Sequence, residues 1–209
     1  MKSKLNEIRK KPDNELPPKQ KLIRLLLVII VGLVLGFLAK YADTVPDNVI
    51  PGMQDIGTYF GLWILAITVL AAWSRSPGAA SIHSLFFLLA MVAAYYIYSM
   101  ILFGFFSKSY FLIWSLIALL SPIGAFIVWY ARGNGWIAAF CTAIPISALL
   151  VEGFSFLYVL PLHAVQFYFD LFAAVVLFVI LPKNNIQRFH ALPFVAFLFA
   201  LSKFIRLPF

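Results

Sequence analysis

Two carboxylates within an otherwise apolar stretch are the residues of this chain best placed to do chemistry. Residues 148–172 read ALLVEGFSFLYVLPLHAVQFYFDLF, and Glu152 and Asp170 lie there among aliphatic and aromatic side chains. Burying an ionised carboxylate is costly unless a cation, a proton or several hydrogen-bond donors compensate its charge. The pair therefore predicts either a binding site for a small solute or cation, or a polar contact that holds helices together.

The spacing of the two carboxylates predicts that they lie at the same level on neighbouring helices. Pro161 marks a short turn, and Glu152 comes eight residues before Leu160 while Asp170 comes eight residues after Leu162. At ~1.5 Å per residue, each carboxylate lies ~12 Å from the turn, near the middle of a ~30 Å hydrocarbon core. Antiparallel neighbours would then bring the two side chains together.

Other polar side chains share helix faces with the carboxylates. His163, Gln166 and Asp170 are spaced i, i+3, i+7 and so lie on one side of their helix. On the preceding helix, a similar side carries Thr142, Pro145, Glu152 and Ser155. We expect a polar seam that runs inward from the outer surface, with a ligand-binding set of Glu152, Ser155, His163, Gln166 and Asp170.

Three interpretations of this seam stay open. It lines an outward-facing cavity for a solute; or each carboxyl is protonated or hydrogen-bonded and only joins helices; or Asp170 lies nearer the surface and is simply hydrated. Neither helix contains a Lys or Arg, so an ion-pair partner has to come from another part of the chain.

The composition places these residues in a lipid bilayer. Of the 209 residues, 63% are hydrophobic and 11% are charged, whereas soluble domains are roughly half apolar and a quarter charged. Apolar runs this long and uniform predict membrane-spanning helices and exclude a barrel. We therefore predict an all-α, polytopic transmembrane helix bundle.

We predict six spans and one further apolar segment. The spans are 22–39, 56–74, 79–105, 110–131, 136–159 and 163–181. The segment 191–205 is short, and we favour a re-entrant or interfacial placement over a seventh span. The chain is thus one transmembrane domain, residues 22–209, preceded by a basic tail, residues 1–21, that we expect to be mobile or to lie on the surface.

The basic residues predict the orientation in the membrane. Eight of the 16 Lys and Arg residues fall within the first 24 residues. With the amino terminus in the cytoplasm, the inner loops also carry Arg75, Arg132, Lys183 and Arg188, and the outer loops carry only Lys40 and Lys108. This bias predicts a multi-pass protein of the cell membrane with a cytoplasmic amino terminus. Because the positive charge is explained in this way, we expect no nucleic-acid partner.

Enzyme and metal motifs are weak. Gly153-Phe154-Ser155 is similar to the Gly-x-Ser of intramembrane serine proteases, with His163 or His190 as a base, but Phe156 replaces the glycine that should follow. There is no phosphate-binding loop and no cluster of His or Cys at metal-ligand spacing. We predict no catalytic residues, no metal and no cofactor.

Gly32 and Gly36 form a small-residue pair in the first span. Such a pair allows close packing of another helix, either from a partner subunit in the membrane or from within the bundle.

Three stretches carry a family resemblance: GLVLGFLAKYADTVP (32–46), FGLWILAITVLAAWSRSPGAA (60–80) and FFLLAMVAAYY (86–96). They resemble an uncharacterised family of small bacterial polytopic membrane proteins, known as a domain of unknown function. A looser likeness, in architecture alone, is to the substrate-binding subunits of energy-coupling-factor vitamin transporters. That likeness implies a solute site near the outer face, a lid-like loop at 40–55 and a membrane partner that packs on Gly32 and Gly36.

We therefore predict an integral membrane small-solute-binding or transport subunit with an outward-facing polar cavity. The alternative is a non-transporting accessory or interaction protein whose polar seam is structural. The expected partners are the lipid bilayer, a small-molecule ligand and a membrane partner subunit.

Overall fold

The computed structural model describes residues 7–46, 48–155 and 164–205. Eight α-helices lie wholly within these residues: α1 (Pro18–Asp43), α2 (Met53–Thr58), α3 (Gly61–Ala72), α4 (Pro77–Phe103), α5 (Lys108–Trp129), α6 (Gly135–Ser155), α7 (Ala164–Ile180) and α8 (Asn185–Ile205). A 3-10 turn, Tyr130–Arg132, continues α5, and the described residues contain no β-strand. The all-α class is thus confirmed.

Four stretches are long and apolar enough to cross a membrane. They are Pro18–Asp43, Pro77–Phe103, Lys108–Arg132 and Gly135–Ser155. Helices α3 and α7 are apolar but shorter, with 12 and 17 residues. Large apolar side chains stand exposed on the outer faces, among them Leu22 at 56% and Leu116 at 58%. This surface is typical of a helical protein in contact with lipid.

The second predicted span is broken in the structure. The sequence predicts one helix over 56–74, but α2 ends at Thr58 and α3 begins at Gly61. Helix α3 alone is ~18 Å long, which is less than the ~30 Å hydrocarbon core. The backbone N–H of Phe60 at this break donates to a side chain of α6. The helix is thus interrupted, and a hydrogen bond to α6 satisfies a backbone N–H group at the break.

The last apolar segment is longer than predicted. Helix α8 begins at Asn185 rather than near residue 191, and it packs against α6. Near its start His190 stacks on Trp136, and further along Phe199 meets Phe154, with ring centroids 4.0 Å and 5.2 Å apart. Asn185–Ile205 is one α-helix, and its predicted re-entrant or interfacial placement in the membrane stays a prediction.

The helices form two groups joined by α3. In one group α4 packs between α1 and α5, and in the other α6 packs against α7 and α8. Helix α3 contacts α4, α5, α6 and α7, and so lies between the groups. The start of α3 therefore lies where side chains of α6 and α7 can reach it.

The amino-terminal segment packs into one end of the bundle. Ile8 is buried, and its carbonyl oxygen accepts a hydrogen bond of 2.8 Å from the backbone of Asn134. The guanidinium of Arg9 donates to the carbonyls of Ala72 and Trp129 and lies 4.1 Å from the centre of the Trp129 ring. For Ile8 and Arg9, the prediction of a mobile or surface-lying tail is wrong. We call this end, which also carries Arg75 and Arg132, the basic end.

Gly32 and Gly36 let α1 approach α4 closely. A Cβ atom added at Gly32 would lie 2.4 Å from the carbonyl oxygen of Phe87, and one added at Gly36 would lie 2.2 Å from that of Met91. The small-residue pair therefore contacts a helix of the same chain.

Candidate functional site

Glu152, Gln166 and Asp170 come together around the start of α3, and we call these three side chains the polar centre. Glu152 is 5% exposed, and Gln166 and Asp170 are fully buried. A Cβ atom added at Gly153 would lie 3.0 Å from the Cβ of Asp170, so the two carboxylates lie at the same level on α6 and α7. This juxtaposition is the one that the spacing predicts.

The amino-terminal end of α3 approaches both carboxylates. The backbone N–H of Phe60 donates to Oε1 of Glu152 over 2.6 Å. A Cβ atom added at Gly61 would lie only 1.9 Å from Oδ1 of Asp170, so the absence of a side chain there permits the approach. A helix amino terminus carries a partial positive charge. The start of α3 thus partly compensates the negative charge of the two carboxylates. Helices α6 and α7 contain no basic side chain that could do so.

Three oxygen atoms of the polar centre nevertheless lack a donor. Nε2 of Gln166 donates to Oδ1 of Asp170 over 2.9 Å. Oε2 of Glu152, Oε1 of Gln166 and Oδ2 of Asp170 are buried and accept no hydrogen bond from any described residue. All three atoms are acceptors, and buried acceptors without donors are rare in proteins. The arrangement favours a proton, a cation or another hydrogen-bond donor at this position.

A cavity of about 360 Å³ lies between α3, α6 and α8, and Glu152 forms part of its wall. The remaining wall is mainly apolar and includes Ile64, Val151 and Leu198, with the hydroxyl-bearing Ser147 and Ser202. Gln166 and Asp170 do not line it. This cavity therefore differs from the predicted outward-facing polar cavity, because the start of α3 covers Asp170.

The structure does not bring every predicted ligand-binding residue into the polar centre. The hydroxyl of Ser155 donates to the carbonyl oxygen of Glu152 over 2.6 Å, within its own helix. His163 lies outside the described residues. His190, the other candidate base, stacks on Trp136, and that residue precedes Ser155 by nineteen positions on α6, or ~28 Å.

The seam is divided, since Thr142 belongs to a separate polar group at the basic end. Its hydroxyl donates to the carbonyl of Ala138 over 2.9 Å and accepts from Nε2 of Gln187 over 3.2 Å. Gln187 also donates to the carbonyl of Ala131 over 2.6 Å and is buried. No sequence pattern signals this contact, because Gln187 belongs to a polar turn that precedes the predicted apolar segment.

A second cavity, of about 540 Å³, lies at the other end of the bundle and has aromatic walls that include Trp63, Tyr95 and Trp114. Asp43, which lies close to it, is well supplied with donors. Its carboxylate accepts from Thr58 over 3.1 Å and from the hydroxyl of Tyr95, and it lies 3.5 Å from Nζ of Lys40. Unlike Glu152 and Asp170, this carboxylate needs no further partner.

The described residues hold no group of three or more His, Cys, Asp or Glu side chains placed to bind a metal ion. The donor set of the polar centre is therefore two carboxylates and one amide. All three are oxygen ligands of the kind that hard cations prefer.

Residues 15–206 match a family described as "Family of unknown function (DUF6518)", and the chain belongs to this family. The predicted membership of an uncharacterised family is thus confirmed, over more of the chain than its first half. No curated protein matches the chain. No solved structure matches it either, and the likeness to energy-coupling-factor subunits stays a prediction.

Proposed function

Because the family brings no activity with it, we propose from the site alone that this chain is an integral membrane solute-binding or transport protein, and that its polar centre binds a small cation. One observation carries the proposal. Three buried acceptor oxygens, on Glu152, Gln166 and Asp170, face no donor among the described residues.

The charge of the polar centre favours a cationic solute. Two carboxylates share a buried site in which the compensating groups are one amide and the end of α3. Carboxylates this close cannot both remain ionised unless positive charge joins them. An alkali ion satisfies this need directly. A protonated alkylamine satisfies it as well, and its apolar part fits the wall formed by Ile64 and Leu198.

The broken segment α2–α3 fits a transport role. In many transporters, discontinuous helices meet at the substrate site, and the amino terminus of a half-helix points at an anionic group. Here the start of α3 points at Glu152 and Asp170. The proposal places the protein in the cell membrane with the amino terminus in the cytoplasm. Six crossings of the membrane are formed by α1, the α2–α3 pair, α4, α5, α6 and α7, and α8 forms a seventh.

Binding is tested by thermal unfolding of the full chain in a neutral detergent, with chloride salts of sodium, potassium, ethylammonium and choline at one ionic strength. We expect one of the small cations, and not choline, to raise the Tm. At about 100 times its Kd a ligand stabilises by ~2.7 kcal/mol. For a chain of this size that is a rise of roughly 5–10 °C.

Two variants test whether the change of Tm with the cation comes from binding at the polar centre. Glu152→Gln and Asp170→Asn each remove a charge and keep the shape of the side chain, so we expect folded proteins whose Tm no longer responds to the cation. Asp13→Asn, which removes a carboxylate from the exposed amino-terminal segment, is the matched control. A Tm that no salt changes, or variants that respond like the original chain, would contradict the proposal. Uptake of the stabilising cation into proteoliposomes then tests transport.

The alternative is a non-transporting accessory or interaction protein with a structural polar centre. The complete burial of Asp170 and its hydrogen bond with Gln166 favour this function. It predicts that Glu152→Gln and Asp170→Asn lower the Tm themselves, and that no cation changes the Tm of the original chain. The same set of measurements therefore separates the two functions.

A further inference from the structure

A third cavity, of about 600 Å³, lies at the basic end between the amino-terminal segment and the starts of α1 and α4. Four cationic side chains line it: Lys11, Lys21, Arg24 and Arg75. Among the described residues that line it, Glu15 carries the only carboxylate. Even with Glu15 ionised, the lining carries an excess of positive charge, which favours an anionic ligand.

Most of this positive charge is not compensated within the described part of the chain. Nζ of Lys21 lies 3.4 Å from the carboxylate of Glu15, but the two side chains are 58% and 90% exposed, so this pair is weak. Arg75 donates one hydrogen bond, of 2.9 Å, to the carbonyl of Asn14, and its guanidinium has further donors. For Lys11 and Arg24, the structure shows no hydrogen bond or ion pair with a described residue.

The rest of the cavity wall is apolar and continues onto the outer surface of the bundle. Leu22, Leu25 and Ile82 line the cavity, and Leu22 and Ile82 are 56% and 51% exposed. One turn further along α1, Leu26 is also exposed, at 49%. A free phosphate ion would make no use of this apolar surface, whereas the acyl chain of a lipid would cover it.

We propose that this cavity is a binding site for an anionic phospholipid. The phosphate lies between Arg24 and Arg75, Lys11 and Lys21 surround the headgroup, and an acyl chain follows Leu22 and Ile82 along α1 and α4. The start of α4, which has Pro77 in its first turn, adds the partial positive charge of a helix amino terminus. This site is separate from the polar centre, and neither proposal depends on the other.

The test is thermal unfolding and native mass spectrometry of the full chain in detergent micelles that contain either phosphatidylglycerol or phosphatidylcholine. We expect phosphatidylglycerol to raise the Tm and to remain bound as one lipid per chain, and phosphatidylcholine to do neither. Arg24→Gln and Arg75→Gln should each weaken the apparent affinity about fivefold, since one basic side chain near a lipid surface contributes ~1 kcal/mol. Inorganic phosphate in place of lipid should have no effect on the Tm.

Two further variants make the result specific. Lys19→Gln removes one positive charge from the same region but not from the cavity lining, so it should retain lipid binding. Gly78→Phe fills the cavity without removing charge, since a Cβ atom added at Gly78 meets no atom within 4 Å, and it should abolish binding. Equal stabilisation by both lipids, an equal effect of inorganic phosphate, or an equal loss in Lys19→Gln would overturn the proposal.

Discussion

The geometry of the polar centre depends on the absence of a side chain at Gly61. Its missing side chain lets the start of α3 reach Asp170, and a Cβ atom there would lie 1.9 Å from Oδ1 and 2.8 Å from Nε2 of Gln166. Both of those side chains are fully buried, so they have little room to move away. At this position a methyl group must displace either the helix or the carboxylate.

We therefore expect Gly61→Ala to lower the stability by about 1–3 kcal/mol, the usual cost of overpacking a buried site. The same change should weaken any cation response that depends on Asp170. Thermal unfolding in detergent measures both. Gly124→Ala is the control, because Gly124 lies in α5 with no atom within 4 Å of an added Cβ. If Gly61→Ala unfolds at the temperature of this control, the close approach seen in the structure is incorrect.

At the scale of elements, the contact between α1 and α4 depends on Gly32 and Gly36. Carbonyl oxygens of α4 occupy the space that larger side chains would need. In a bilayer, van der Waals packing drives helix association, and small residues permit it. The outer face of α1 stays covered with exposed apolar side chains, among them Ile30 at 53% and Val34 at 51%.

Gly36→Leu should separate α1 from α4 and destabilise the monomer. We expect a lower Tm that does not depend on protein concentration, and an unchanged mass in size-exclusion chromatography with light scattering. Ile30→Leu, on the exposed face of the same helix, is the comparison. If Gly36→Leu instead dissociates an oligomer and leaves the Tm of the monomer unchanged, the pair serves a partner helix.

At the scale of the whole molecule, the segment that holds Ile8 and Arg9 closes the basic end. Arg9 connects the carboxyl ends of α3 and α5 through the carbonyls of Ala72 and Trp129. Burial and the nearby charge of Arg132 lower the pKa of Arg9 to about 10, so its guanidinium is still protonated at pH 7. One side chain thus connects α3 with α5, although both partners lie far along the chain from Arg9.

Arg9→Ala should therefore destabilise the bundle by about 1.5–3 kcal/mol, the range for a hydrogen bond to a charged group. Arg9→Lys should recover only part of this, because an ammonium cannot stack on Trp129 and span both carbonyls as a guanidinium does. The Tm of each variant is measured, and the exposed Lys10→Ala is the control. Equal Tm values for Arg9→Ala and Lys10→Ala would mean that the segment only rests on the bundle.

The sequence predicted the uninterrupted helices better than the broken second segment and the contacts between helices. Helices α4, α5 and α6 lie close to the predicted spans, because their apolar runs are continuous and turn residues bound them. The break at Tyr59 and Phe60 was missed, since residues 56–74 contain no charged residue or proline to mark it. The packed position of Arg9 was missed as well, because its partners are backbone carbonyls that no sequence pattern reports.

The sequence alone predicts helices that are long and apolar enough to cross a membrane, with Glu152 and Asp170 at one level. Both follow from local properties, namely apolar run length and the rise of an α-helix. The groups that contact the carboxylates are known only from how the helices pack. Among the described residues, the start of α3 reaches them and three acceptor oxygens are left without donors, and this depends on contacts between residues about ninety or more positions apart. Hydrogen bonds and close approaches of that kind leave no periodic trace in a sequence.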